Sequence, residues 1–414
     1  MPNTIFYGAG DYLSENYDYF TQHCTPVCIV DKNSAKHHTL FGDTKVEILS
    51  LNEAVTLYPD YTLNITVSPE NVLTVLNYLH EKDVPNDRIV LLDSKIEYRK
   101  GCRHLGGTEG TGFSYSEGYL HICCYAEKRP LIRVSDSVAE DIVNVQNYID
   151  RLIDDLKSGG AETVCNGCPN LVGGYYYKNP RINTISVDSF LGQTVCNFKC
   201  TYCNVSDTLN NKQKAAIESP LKIAKKIYET DPNISLSLGV GEITVSPWGD
   251  ELFDFIREKR IKAVVLTNAF KYSDKMMKLM KDGLITGLSV SMDAGTRETF
   301  AKIKGVDGWD KVVNNLEKYA TVQGVLHLKY IMLPGINDND ADVKGFVHLC
   351  QQLKVNAALS KDIGLSAQWQ LPKQSIESCL TLISEAKKSG VGVGLLSDYF
   401  YHKPDLLTLE NALR

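Results

Sequence analysis

The sequence predicts an α/β protein: a partial (β/α) barrel over residues 181–414, preceded by a small α/β domain over 1–95 and a cysteine-rich connecting segment over 96–180. Three observations predict it. From residue 182 onward, apolar runs of strand length alternate with amphipathic runs of helix length, the pattern of a parallel sheet covered by helices. The first 31 residues read strand, glycine turn, helix, strand, acid. Between these regions periodicity weakens and cysteines concentrate, as in segments held partly by metal. At 414 residues the chain also exceeds the ~250–300 at which one core stops growing, so more than one domain is expected.

In the front domain, residues 4–7 read as a buried strand, Gly8-Ala9-Gly10 as a turn, 11–22 as a helix and 26–30 as a second strand ending at Asp31. Glycines at a helix start let backbone N–H groups approach phosphate, and an acid after the second strand can bind ribose. Gly8, Gly10 and Asp31 are therefore candidate nucleotide ligands, although Leu13 fills the third glycine position of the dinucleotide pattern. Residues 51–57 and 69–82 read as helices, 63–67 and 88–92 as strands. The domain resembles the small Rossmann-like modules that accompany enzymes of surface-sugar biosynthesis. That resemblance implies a nucleotide-linked ligand; a docking or dimerisation module fits the same pattern.

Residues 96–180 carry Cys102, Cys123, Cys124, a helical stretch over 139–158, and the knuckle Cys165-Asn-Gly-Cys168. Four thiolates drawn from Cys102, Cys123 or Cys124, Cys165 and Cys168 suit either zinc or an iron–sulfur cluster.

The barrel opens with a strand over 182–187 and then Cys196-Asn-Phe-Lys-Cys200-Thr-Tyr-Cys203. Three thiolates at C-x3-C-x2-C spacing call for a shared metal centre. A structural zinc site wants a fourth ligand, yet no Cys or His lies within ten residues on either side. A four-iron cluster held by three cysteines keeps one iron open. Helices then read over 220–229, 249–259, 273–281, 309–323, 340–353 and 375–389. Strands read over 234–238, 263–267, 287–292, 326–332, 355–359 and 391–396. Ligands on such sheets sit at the C-terminal strand ends, where the cysteine loop lies.

The loop, with Tyr202 directly before its last cysteine, resembles the signature of the radical S-adenosylmethionine (radical SAM) superfamily. The resemblance implies a [4Fe–4S] cluster on Cys196, Cys200 and Cys203, with S-adenosylmethionine chelating the open iron. It extends to four strand ends. Gly239-Val240-Gly241-Glu242-Ile243-Thr244 resembles the family's G-G-E segment, and Thr267-Asn268-Ala269 its T-N-G. Ser291 and Asp293 resemble the pair that binds ribose or carboxylate. Leu333 ends the apolar wall against which adenine packs. Tyr202, Gly241, Glu242, Thr244, Thr267, Asn268, Ser291, Asp293, Arg297 and Leu333 are thus implied cofactor-binding residues. Asp293 could equally cap the helix that follows, and Arg297 could pair with the methionyl carboxylate or face solvent. The order of cysteines in 96–180 resembles a SPASM or twitch auxiliary-cluster segment, here placed before the barrel rather than after it, and implies a second [4Fe–4S] cluster.

The expected function is reductive cleavage of S-adenosylmethionine to a 5′-deoxyadenosyl radical that abstracts hydrogen from a sugar- or nucleotide-linked small molecule in surface-glycan or secondary metabolism. Peptide modification is the alternative enzyme reading, and a non-enzymatic iron–sulfur or zinc nucleotide sensor the alternative outside enzymes. An electron donor such as flavodoxin or ferredoxin is implied. A net charge of -6 with no basic run argues against nucleic acid. No 18-residue apolar run or signal-peptide pattern is seen, so twelve cysteines point to metal chemistry in the cytoplasm.

Overall fold

The computed structural model describes residues 2–413 except 92–95, 103–104, 107–109, 117–118, 122–131, 134–137, 159–164, 166–167, 169–170, 188–194, 204–220, 222–223, 226–227, 230–231, 240, 363–368 and 397–400. The expectations placed on Cys123, Cys124 and Val240, and most of the helix read over 220–229, lie outside the described residues. The chain divides into two compact units, residues 1–111 with 149–181, and 112–148 with 182–414.

The first unit holds a parallel sheet of β1 (Asn3–Tyr7), β2 (Cys28–Val30), β3 (Ile48–Leu49), β4 (Tyr61–Ile65) and β5 (Ile89–Val90) in the order β3-β2-β1-β4-β5. Helices α1 (Asp11–His23), α2 (Leu51–Leu57) and α3 (Pro69–Glu81) connect the strands. Side chains alternate across the central strand: Ile5 and Tyr7 join one apolar core, Phe6 another with Leu13 and Phe20. The chain order reverses between β1 and β4, which makes their C-terminal ends the switch point of a doubly wound sheet. Helix α2 starts on a capping box, Ser50 receiving the Glu53 N–H while Glu53 receives that of Ser50. An antiparallel pair, β6 (Ile96–Gly101) with β10 (Val172–Tyr177), also belongs here.

The second unit is built on one long sheet that includes β7 (Gly110–Ser116), β8 (Tyr119–His121) and β9 (Ile132–Arg133). Its main part is β11 (Arg181–Val187), β12 (Ser235–Leu238), β13 (Lys262–Thr267), β14 (Ile285–Ser291), β15 (Leu326–Met332), β16 (Asn356–Lys361) and β17 (Val393–Leu396). These strands pair parallel in sequence order. Helices α5 (Gly249–Lys259), α6 (Asp274–Lys281), α7 (Arg297–Lys304), α8 (Trp309–Tyr319), α9 (Asp340–Leu353), α10 (Lys373–Lys388) and α11 (Lys403–Leu413) follow strands of the sheet; α4 (Val138–Ser158) precedes it. Consecutive parallel order with helical crossovers is the barrel progression, here left open. Leu288 and Val290 of β14 and Leu328 and Tyr330 of β15 are fully buried, and Tyr330 packs on Phe346 of α9 at 4.8 Å between ring centroids. These residues mark the helix-facing side of the sheet.

Candidate functional site

The cysteine loop, residues 195–203, is tied to the barrel by its own backbone. Lys199 and Thr201 donate to the carbonyls of Lys304 and Ile303, and Glu242 donates to Val195. Phe198 seats the loop between Phe270 and Phe300, at 5.4 and 6.0 Å between centroids. Gly305 must be glycine at this join: its φ is 68°, and a Cβ would meet the Lys199 carbonyl at 2.9 Å. Cys196, Cys200 and Cys203 are all half-buried. The Cys196 sulfur accepts from the Phe198 N–H at 3.4 Å and from the Asn268 amide at 3.8 Å. Burial pushes the Cys196 thiol up, against the Phe198 N–H, and pushes Cys200 up to about 11 despite the nearby Lys304 ammonium.

At the end of β12, Gly241 takes φ 73°, a conformation that favours glycine. Glu242 next to it is wholly buried, and its carboxylate is saturated by protein donors. The Thr244 N–H and hydroxyl lie at 3.1 and 2.6 Å, the Thr267 hydroxyl at 2.8 Å and the Asn268 N–H at 2.6 Å. Burial raises its carboxyl, and these donors oppose the rise. Glu242, Thr244, Thr267 and Asn268 are therefore brought together as one latch across two strand ends. Asn268 extends the latch to the cysteine loop, donating to Asn197 at 2.6 Å. Ala269, where the family has glycine, takes φ 56°.

Asp293, also at positive φ and fully buried, is held by three elements. Tyr202 donates to its Oδ2 at 2.6 Å, the Ile331 N–H to its Oδ1 at 2.8 Å, and Lys304 forms a buried ion pair with it. Lys304 also donates to the Tyr202 hydroxyl at 3.1 Å. Burial alone would raise the Asp293 carboxyl, but Lys304 and Lys329 outweigh it and hold the carboxyl below its ordinary range. Burial next to this carboxylate drives the Tyr202 phenol well up.

Three sequence expectations change here. Asp293 carries no helix cap, because Thr296 caps α7 and is itself fixed by Asp342. Its carboxylate oxygens go to protein donors rather than standing open for ribose or carboxylate. Arg297 lies on the surface, paired with Asp307 and Asp310, since position one of α7 faces the turn before α8. Lys304 was missed as a site residue. The signal was the buried Asp293 itself, which needs a cation in reach. Ser291 sits half-buried at the end of β14, and Leu333 is buried beyond β15, its N–H bound by Asn337 at 2.7 Å.

In the first unit Gly8, Gly10 and Asp31 line one cavity of about 570 Å³ at the switch point, with Tyr7, Thr66 and Tyr78. Gly8 has φ 114° and a Cβ there would strike Val67, whereas a Cβ on Gly10 would meet nothing within 4 Å. Asp31 is not a bare ribose acceptor. Its oxygens take the Ala9 and Asn33 N–H groups, both at 2.8 Å, with Lys36 at 3.6 Å, so it braces the glycine turn.

Cys102 directly follows β6, whose last residue pairs with the first residue of β10. Cys165 and Cys168 form a turn just before β10, with the Leu171 N–H donating to the Cys168 carbonyl. The antiparallel pair thus brings all three cysteines to one end. Among the described residues no group of three His, Cys, Asp or Glu side chains forms a single-ion site. The loop of Cys196, Cys200 and Cys203 fits a cluster by donor chemistry: three thiols in eight residues, half-buried, one already receiving N–H donors.

Residues 191–350 match the family model of the radical SAM superfamily. Residues 191–350 therefore form a radical SAM domain, and a [4Fe–4S] cluster and S-adenosylmethionine are the cofactors that such a domain implies. A probable GTP 3′,8-cyclase of Saccharolobus islandicus is 32% identical over 163 residues, 39% of this chain and 52% of that protein. The molybdenum cofactor biosynthesis protein moc-5 of Caenorhabditis elegans is 27% identical over 157 residues, 37% of this chain and 26% of that one. Streptococcus suis SuiB bound to precursor peptide SuiA aligns over 54% of this chain and 51% of its own, at 16% identity and TM-score 0.42. The chain spans about half the length, or less, of these curated relatives. Among the described residues no helix is long and apolar enough to cross a membrane.

Proposed function

We propose that this radical SAM enzyme abstracts hydrogen from a nucleotide or nucleotide-linked small molecule. The similarity of 163 residues of this chain to a probable GTP 3′,8-cyclase supports the substrate class. When bound, the cluster and S-adenosylmethionine supply reductive C–S cleavage and the radical that abstracts hydrogen. Cys196, Cys200 and Cys203 would hold the cluster. The Glu242 latch orients the ends of β12 and β13, leaving their backbone groups to meet the cofactor. Tyr202, Asp293 and Lys304 hold the far side of the loop in register. The substrate test uses GTP deuterated on the ribose, incubated anaerobically with reduced enzyme and S-adenosylmethionine. Deuterium should appear in the released 5′-deoxyadenosine; 5′-deoxyadenosine free of deuterium, at a rate indifferent to GTP, would remove GTP as substrate.

Cys102, Cys165 and Cys168 support the auxiliary-cluster reading because β6 and β10 bring them to one end. A Cys196→Ala, Cys200→Ala, Cys203→Ala variant should then keep about four irons per chain after anaerobic reconstitution. A colourless variant holding zinc alone would assign those thiols to a structural ion. The cavity at the switch point of the first unit supports a small ligand there over a purely docking role.

A further inference from the structure

The concave face of the open barrel is lined mostly by small residues on β14, β16 and β17. Closed (β/α) barrels fill their interior with bulky branched side chains. Here the face opposite the helices carries Gly287, Ser289 and Ser291 on β14, Ala358 and Ser360 on β16, and Gly394 on β17, its branched residues being Val264 and Leu266 on β13 and Ile331 on β15. Between them stand two larger polar side chains, both on β15. Strand residues two apart share a face, so His327 and Lys329 point together, away from Leu328 and Tyr330 on the helix side. The register sets His327 between Ser289 and Asn356, and Lys329 between Ser291 and Ala358.

Lys329 is half-buried, yet among the described residues its ammonium makes no hydrogen bond or ion pair. The acid that could have neutralised it, Asp293, is already committed to Lys304 and Tyr202. Asp293 itself, then Cys200 and Asp362 just past β16, favour the Lys329 charge only through space, with no hydrogen bond to it. The buried hydroxyl of Ser289 also lacks a partner among the described residues. An unpaired cation in a partly dry trough costs stability, and so does an unpaired buried hydroxyl. The cross-strand neighbours of Lys329, Ser291 and Ala358, are short and leave room beside it. We propose that Lys329, with His327 beneath it and the Ser289 hydroxyl alongside, anchors an oxyanion of the substrate, a phosphate or carboxylate, on the concave face. This rests on the radical SAM reading of the adjoining cysteine loop, and it adds that the substrate is anionic at a point set by β15.

The test compares anaerobically reconstituted wild type with Lys329→Gln and Lys329→Arg. Inorganic tripolyphosphate and citrate serve as phosphate and carboxylate probes, titrated calorimetrically, and S-adenosylmethionine is measured by equilibrium dialysis. Wild type should bind at least one probe, Lys329→Gln should weaken it at least about tenfold, and Lys329→Arg should retain most of the affinity. Affinity for S-adenosylmethionine should stay within about twofold. Because the wild-type ammonium makes no hydrogen bond or ion pair and acts on Asp293 only through space, Lys329→Gln should melt within a few degrees of wild type. Three results overturn the proposal: wild type binds neither probe, Lys329→Gln binds them as wild type does, or Lys329→Gln loses S-adenosylmethionine instead, which would give Lys329 to the methionyl carboxylate. Failure of the radical SAM reading looks different, since wild type itself would then neither bind S-adenosylmethionine nor release 5′-deoxyadenosine.

Discussion

Replacing Cys196, Cys200 and Cys203 together by alanine should abolish 5′-deoxyadenosine release from dithionite-reduced enzyme. The three thiols stand in a loop pinned by backbone bonds to the end of α7 and to Glu242, not by the thiols themselves. The aromatic seat of Phe198 also remains. The variant should therefore fold, with a melting temperature within a few degrees of wild type, while its visible iron–sulfur absorption drops. Loss of one cysteine already leaves a four-iron cluster short of a protein ligand, so each single variant should lose most of the release as well. Liquid chromatography of the quenched reaction measures it. Release at the wild-type rate from the triple variant would remove the assignment of these ligands.

Much of the barrel was legible because its strands are buried on one side by helices and its helices are amphipathic. The read boundaries of Gly249–Lys259, Leu326–Met332 and Asp340–Leu353 coincide with the observed ones. The bounds of helix α7 were not read. Four of its eight residues are charged, and its start is set by Thr296 together with Asp342, 46 residues further on. The pairing of β6 with β10 spans more than seventy residues and has no local signature.

The site was read at the level of strand ends but not of side-chain direction. By resemblance Glu242 and Asp293 are cofactor-binding residues, with a helix cap as the alternative for Asp293. Both turn inward, because a carboxylate at zero exposure needs several donors and the neighbouring strands supply them. Arg297, open in the sequence to either the methionyl carboxylate or solvent, faces solvent, paired with Asp307 and Asp310. The residues of β15 were read as an apolar wall. The alternation in Leu326-His327-Leu328-Lys329 was present in the sequence, and its meaning required knowing which side the helices cover.

Lys304→Met should destabilise the second unit by about 3–5 kcal/mol, because it leaves the fully buried Asp293 carboxylate without its cation. Burial opposes the charge on Asp293, and in wild type Lys304, with a smaller pull from Lys329, wins and holds the carboxyl below its unfolded value of about 3.9. The unfolded chain then binds more protons on acidification, so the pair's contribution is present above about pH 4 and fades as pH falls through the folded value. In the variant, burial dominates and raises the carboxyl, so the folded state takes the proton first and stability recovers on acidification from pH 7. The gap between the two proteins, measured by urea denaturation from pH 5 to 8, should therefore narrow toward pH 5. Asp293→Asn combined with Lys304→Met removes the orphaned charge and should regain part of the loss. The effect reaches the cluster loop. Tyr202 hydrogen-bonds to both partners of the pair and precedes Cys203 directly. Lys304→Met should accordingly lower iron content after reconstitution, and the double variant should restore some of it. A pH-independent gap, or a double variant no better than Lys304→Met alone, would show that Lys304 acts through packing and not through the charge on Asp293.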